Sequence, residues 1–121
     1  MSRLTKSQEN YLKTIFLLSG NDGSVRITDI ATRFGVSKAS ASIAVAKLEE
    51  KGFVQRDESR RVILTAKGLR EAKRVADYYN VISDFLTGKL NVDLSTALID
   101  ARALEHVVSE ETINAMRTAL N

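Results

Sequence analysis

The residues best suited to chemistry in this chain are small hydroxyl side chains and cations, concentrated in two short segments. The first is SKASASI at residues 37–43, and the second is the stretch 56–61, which holds three arginines. Hydroxyl, ammonium and guanidinium groups can donate hydrogen bonds to phosphate oxygens, and alanine or isoleucine can contact a thymine methyl group. A nucleophile paired with a base is not indicated, because the chain has no cysteine and a single histidine, His106.

The first segment lies in a pattern that predicts two short helices joined by a tight turn. Thr28 is the predicted N-cap of a helix ending near Phe34, and Gly35 supplies the positive φ that stops it. Ser37 then caps a second helix that runs to about Lys51, with apolar residues at three- and four-residue steps. This is a helix-turn-helix, an arrangement in which the second helix can enter a DNA major groove.

The second segment belongs to a predicted β-hairpin. Residues 53–56 and 61–64 have the composition of short strands, and residues 57–60 form the turn between them. A hairpin in this place is the wing of a winged helix-turn-helix. Its three arginines are expected to contact phosphates or the minor groove.

The predicted DNA-binding set combines the start of the second helix with the wing: Ser37, Lys38, Ala39, Ser40, Ser42, Ile43, Arg56, Arg60 and Arg61. Four other cations either add phosphate contacts or are ordinary solvated charges: Lys6, Arg26, Arg33 and Lys47. Because the start of the helix holds no Arg, Asn or Gln, bidentate readout of bases is not offered. We therefore expect modest direct readout and an affinity that falls steeply with salt.

The formal net charge of +3 conceals an asymmetry along the chain. Residues 1–75 hold 15 lysines and arginines against 8 aspartates and glutamates, a net +7, whereas residues 76–121 hold 3 against 7, a net −4. A basic N-terminal part is typical of a protein that binds a polyanion. The acidic C-terminal part is expected to stay away from nucleic acid.

Helices are predicted on both sides of the winged segment. Residues 7–19 form a first helix that ends in a turn at 20–23, and Thr65 caps a long linking helix over about 65–88, which Gly88 breaks. A helix over 93–108 and a last helix starting at Ser109 follow. Their apolar faces exceed what a short chain can cover, so we expect a homodimer, with a closed monomeric core as the alternative.

The predicted fold is thus mainly α with a small β-hairpin wing. An N-terminal winged helix-turn-helix domain occupies residues 1–74, and a helical dimerisation domain occupies residues 75–121. A two-fold dimer would place two recognition helices in successive major grooves of a pseudo-palindromic operator.

The whole chain resembles the metal-dependent regulators of the diphtheria toxin repressor and manganese transport regulator family. The matching segments are ENYLKTIFLL at 9–18, ITDIATRFGVSKASAS at 27–42, LTAKG at 64–68 and LEHVVSEE at 104–111. The resemblance implies a homodimeric winged-helix repressor in its two-domain form. It also implies an Mn²⁺ or Fe²⁺ corepressor, bound by the first helix and the dimerisation helices.

The residues at the ligand positions implied by the resemblance depart from the family pattern. Those positions hold Asn10, Lys13, Tyr79, Arg102, Glu105 and His106. Glu105 and His106 keep good ligand chemistry and Asn10 can offer an amide oxygen, but lysine and arginine are not metal ligands. A bound metal is therefore not a firm expectation; it would be Mn²⁺ or Fe²⁺ if the family site is retained.

The spacing of these residues suggests a replacement for the metal. Arg102, Glu105 and His106 lie at i, i+3 and i+4 of the predicted fifth helix, which places them on one face. Our hypothesis is that Lys13 or Arg102 neutralises Glu105 and that DNA binding no longer needs metal. The alternative is an ordinary solvated helix face.

The leading functional prediction is a sequence-specific DNA-binding transcriptional regulator, and not an enzyme. Two alternatives are a regulator that binds a small ligand near Tyr78, Tyr79 and Arg102, and a dimeric protein-interaction module that has lost DNA binding. No apolar run is long enough to cross a membrane, and no signal-peptide segment is evident, so the predicted location is the cytoplasm.

Overall fold

A computed structural model describes residues 4–19 and 23–121 of the chain. Within these residues it has six helices and three short strands, in agreement with a mainly α fold that carries a small sheet. Residues 20–22 of the predicted first turn lie outside the described residues. The elements are α1 (Lys6–Ser19), β1 (Ser24–Val25), α2 (Ile27–Phe34), α3 (Lys38–Glu50), β2 (Val54–Arg56), β3 (Val62–Leu64), α4 (Ala66–Gly88), α5 (Leu94–Leu104) and α6 (Glu110–Leu120).

The chain forms two compact units. The first ends at Lys73, and the second runs from Arg74 to Asn121, so the boundary falls within α4. The core of the first unit is built from α1, α2, α3 and the strands, and its fully buried members include Leu12, Ile30 and Leu48. The core of the second unit gathers side chains from α4, α5 and α6, among them Ile82 and Ile113.

The wing is the edge of a three-stranded antiparallel sheet with the order β1-β3-β2. Gln55 pairs with Ile63 in the hairpin, and Val25 pairs with Val62 on the other side of β3. The sequence predicted the hairpin but not β1. A strand of two residues is too short to show the alternation by which strands are recognised.

The start of α2 differs from the prediction. The helix begins at Ile27 with Arg26 as its N-cap, and Thr28 lies inside the first turn. The Arg26 carbonyl accepts the amides of Asp29 at 3.1 Å and Ile30 at 3.2 Å. Burial of Ile27 together with Ile30 explains the earlier start, because these two side chains anchor the helix face to the core.

The predicted caps Ser37 and Thr65 are confirmed, and Ser109, the predicted start of the last helix, is also a cap. The hydroxyl oxygens of Ser37, Thr65 and Ser109 accept the amides of Ser40, Gly68 and Thr112 at 3.0, 3.1 and 3.2 Å. Each hydroxyl satisfies an amide that has no partner within its helix. The caps therefore fix where α3, α4 and α6 begin.

Helix α5 ends earlier than the predicted residue 108. It stops at Leu104, and residues 105–107 form a turn because the amides of Val107 and Val108 both bond to the Leu104 carbonyl at 3.0 Å. His106 therefore lies in this turn, and the expectation of one continuous helix face through Arg102, Glu105 and His106 is wrong.

A close contact joins the end of α3 to the start of α4. The Phe53 carbonyl accepts the Thr65 amide at 3.1 Å, the Gly52 carbonyl accepts the Thr65 hydroxyl at 2.7 Å, and the Lys51 carbonyl accepts the Lys67 ammonium at 3.0 Å. A Cβ atom on Gly68 would lie 1.9 Å from the Phe53 oxygen. We call this contact between residues 51–53 and 65–68 the hairpin latch.

Replacing Gly68 with alanine is expected to lower the free energy of unfolding by about 1–3 kcal/mol, because the backbone of the hairpin latch must move apart. Chemical denaturation measures the change. The matched control is Gly88→Ala in the same helix, where a Cβ meets nothing within 4 Å. Equal stabilities of the two variants would contradict the latch.

Candidate nucleic-acid interface

Helix α3 separates a buried face from an exposed one. Ala41, Val45 and Leu48 are fully buried in the core of the first unit. Lys38, Ala39 and Ser40 are exposed, and Ile43 is 61% exposed, although isoleucine side chains are usually buried. The predicted contact residues of α3 thus lie on its solvent side, with Ser42 half-buried.

The turn before α3 sets the direction of this exposed face. Gly35 adopts the left-handed conformation with φ 67°, its amide bonds to α2 carbonyls, and the Val36 amide bonds to the Ala31 carbonyl at 3.0 Å. The ring of Phe34 stacks on Tyr11 of α1 with centroids 4.0 Å apart. Burial raises the pKa of Tyr11, so its hydroxyl stays neutral in this contact.

The tip of the wing is organised by one carboxylate. The Oδ1 atom of Asp57 accepts the amides of Ser59 at 2.9 Å and Arg61 at 2.8 Å. The Asp57 carbonyl also accepts the Arg60 amide at 2.9 Å. Arg60 itself has φ 64°, a left-handed conformation that is costly for a residue with a Cβ atom.

A cavity of about 670 Å³ lies between the wing, the start of α3 and the start of α2. Its lining consists of five cationic residues, three residues with a hydroxyl group and one apolar residue: Arg26, Ile27, Thr28, Lys38, Ser42, Arg56, Ser59, Arg60 and Arg61. The cavity thus brings Arg26 together with five residues of the predicted DNA-binding set: Lys38, Ser42, Arg56, Arg60 and Arg61. The sequence reasoning missed Ile27, Thr28 and Ser59 as lining, because no local pattern shows that the wing folds back toward α2.

The cavity carries a strong positive charge. Five of its lining residues are lysine or arginine and none is acidic. Within residues 4–19 and 23–121, none of these five cations forms an ion pair with a carboxylate. Because opposite charges usually accompany such a cluster on an ordinary surface, an anionic ligand is indicated.

The predicted metal-site residues fall in both units. Asn10 and Lys13 lie on α1 in the first unit. In the second unit, Tyr79 is half-buried, Arg102 is exposed, and Glu105 is 1% exposed with its Oε2 atom 3.3 Å from His106 Nε2. The exposed Arg102 does not share the buried environment of Glu105, whereas His106 does.

These residues do not fit an ordinary Mn²⁺ or Fe²⁺ site. Such ions take several carboxylate, imidazole or water ligands in an octahedral arrangement. Among the described residues, no group of three or more His, Cys, Asp or Glu side chains is close enough to hold a metal ion. Lys13 and Arg102, at two of the expected ligand positions, bring positive charge in place of ligands.

The winged helix-turn-helix, with the solvent side of its second helix exposed, is the fold of a class of DNA-binding proteins. Residues 3–62 match the family described as "Iron dependent repressor, N-terminal DNA binding domain", and residues 65–121 match "Iron dependent repressor, metal binding and dimerisation domain". The chain belongs to the iron-dependent repressor family. It is a DNA-binding transcriptional regulator that carries a dimerisation domain, which confirms the predicted transcriptional regulator.

Individual relatives agree with this assignment. An uncharacterized HTH-type transcriptional regulator of Methanocaldococcus jannaschii is 30% identical over 94% of this chain and 92% of its own length. The transcriptional regulator MntR of Escherichia coli O157:H7 is 33% identical over 90% of this chain and 70% of its own length. The solved structure of the manganese regulator SloR superposes with a TM-score of 0.81 at 31% sequence identity. The superposition covers 98% of this chain and 55% of the SloR chain.

Removing the Asp57 carboxylate tests whether this residue positions the wing. Asp57→Ala and Asp57→Asn remove the same negative charge, but asparagine keeps an Oδ1 acceptor. We expect Asp57→Ala to weaken binding to a fixed duplex by about tenfold, equivalent to one or two lost hydrogen bonds, and Asp57→Asn to bind as wild type or better. Fluorescence anisotropy measures both; equal affinities would show that only the charge matters.

Arg60 allows the strain at the wing tip to be separated from contact with DNA. Arg60→Gly and Arg60→Ala both remove the guanidinium, so we expect both to weaken duplex binding and to reduce the salt slope by about 1. Glycine relieves the left-handed strain, so its free energy of unfolding should equal or exceed wild type by up to about 1 kcal/mol, and alanine should fall below glycine. Thermal unfolding measures the stability of the two variants. If Arg60→Gly is no more stable than Arg60→Ala, the left-handed conformation of Arg60 is not strained.

Proposed function

We propose that the protein is a homodimeric transcriptional repressor that binds a pseudo-palindromic operator through the exposed face of α3 and the cavity beside the wing. The observation that carries this proposal is a cavity lined by five cations and no acidic residue, next to the exposed Ser40 and Ile43. Phosphate contacts by these cations would supply most of the affinity, and the α3 residues would read the base edges. A protein of this function would work in the cytoplasm, and within the described residues no helix is long and apolar enough to cross a membrane.

Salt dependence of duplex binding tests this function. If most of the cavity cations contact phosphates, the logarithm of affinity should fall with the logarithm of salt with a slope of about −4 per chain. Arg61→Ala should flatten the slope, whereas Arg70→Ala, an exposed arginine on α4 outside the cavity, should leave it unchanged. Absence of duplex binding at low salt would refute the function.

We propose further that DNA binding by this chain does not need Mn²⁺ or Fe²⁺. The support is the donor set, in which Glu105 and His106 are the two good ligands of the second unit and Lys13 and Arg102 replace others. The match to a metal-binding domain favours the opposite outcome. Calorimetry measures whether Mn²⁺ binds the protein. Duplex titrations with a chelator and with Mn²⁺ then show whether the metal changes DNA affinity. Metal binding that tightens DNA affinity would refute metal independence.

The second unit supports self-association. Ile99 of α5 is 70% exposed and Val107 is 75% exposed, and Leu90 and Leu94 are also exposed. Apolar side chains exposed to this degree are candidates for an interaction surface. A second copy is the proposed partner because the matching family domain is described as a dimerisation domain.

Charge placed on this surface should dissociate the dimer. We expect Ile99→Glu to shift the mass measured by analytical ultracentrifugation from dimer to monomer, because the dimer would bury an unpaired carboxylate. Asn114→Glu introduces the same charge at an exposed position of α6 and should remain a dimer. A dimeric Ile99→Glu variant would exclude this surface.

The small-ligand alternative receives less support. Tyr78 is buried in the core of the second unit with the Arg74 guanidinium 5.0 Å from its ring centroid, whereas Arg102 is exposed. Tyr78 therefore acts as a core residue, and it does not share an environment with Arg102.

A further inference from the structure

The cavity beside the wing has features of a discrete binding site rather than of a diffuse basic surface. Arg56 and Arg61 are only half-exposed, and their Nε atoms are buried. Among the described residues, neither Nε–H group has a hydrogen-bond acceptor. A buried donor without an acceptor costs free energy, and both arginines line this cavity, so a ligand that draws their guanidinium groups toward it would relieve that cost.

The chemistry of the lining specifies that acceptor. Guanidinium groups are planar donors that match the oxygens of a phosphoryl group, and Lys38 adds a point charge. The Ser42 hydroxyl can donate one further hydrogen bond. A carboxylate ligand would use two oxygens, whereas a phosphoryl group offers enough oxygens for donors that approach from the wing and from α3.

We propose that this cavity is a phosphoryl-binding site, in which a phosphate group accepts hydrogen bonds from the guanidinium groups of Arg56 and Arg61. The proposal rests on the proposed function for one source of the ligand, a phosphate of the DNA backbone. A free oligophosphate such as pyrophosphate offers the same oxygens and should occupy the same site. Small phosphate anions should therefore compete with DNA for this site, and they should weaken DNA binding more than their ionic strength alone would.

Pyrophosphate is the probe for the site, and conservative variants separate geometry from charge. Calorimetry at fixed ionic strength should show one pyrophosphate per wild-type chain. Arg56→Lys and Arg61→Lys keep the charge but lose the planar guanidinium donors, and each should bind at least about tenfold more weakly, the loss expected for one charge-assisted hydrogen bond. Arg70→Lys makes the same exchange outside the cavity and should bind as wild type. Equal binding by all three variants would overturn the proposal.

A competition experiment then distinguishes the two sources of phosphate. Pyrophosphate should displace a labelled duplex from the wild-type protein more strongly than sodium chloride of equal ionic strength, and this excess should be lost in Arg61→Lys. If the duplex binds but pyrophosphate does not, the site is refuted and the DNA-binding function stands. If pyrophosphate binds as expected but no duplex does, the site stands and the function fails.

Discussion

The arrangement of the first unit depends on the hairpin latch between residues 51–53 and 65–68. The two segments lie immediately before and after the wing, so one contact holds both ends of the hairpin. Backbone and side-chain hydrogen bonds to the carbonyls of Lys51, Gly52 and Phe53 form it, and Gly68 allows the close approach. Because Lys51 directly follows α3, the latch also fixes the wing relative to α3, and thereby the cavity between them.

Lining one cavity with five cations and no acidic residue has an energetic cost, which the rest of the unit must offset. Like charges repel, and in the half-buried environment of Arg56 and Arg61 they are screened less than on an open surface. The core under α3, with Ala41, Val45 and Leu48 fully buried, holds that helix in place against the repulsion. The surface proposed to bind DNA is thus a source of local destabilisation, as the left-handed Arg60 also illustrates.

The sequence predicted the features that local physics determines. Apolar spacing located the helices, and the hydroxyl groups of Ser37, Thr65 and Ser109 marked three helix starts correctly. The misses depend on tertiary contacts: the buried Ile27 starts α2 before Thr28, and the turn at residues 105–107 ends α5 early. The gathering of the wing arginines with Arg26 could not be predicted, because it depends on how the hairpin folds back. The sequence also missed that the Asp57 carboxylate accepts the amides of Ser59 and Arg61. The composition of residues 57–60 predicts a turn, but it does not show which side chain bonds to the turn amides.

The central claim is that the guanidinium groups of the cavity bind DNA phosphates. Arginine Nε–H resonances, followed by NMR as duplex DNA is added, test it most directly because each arginine reports separately. We expect the Nε–H signals of Arg56 and Arg61 to shift strongly and become protected from exchange, while that of Arg70 on α4 stays in place. Unchanged Arg56 and Arg61 signals in a protein saturated with duplex would contradict it.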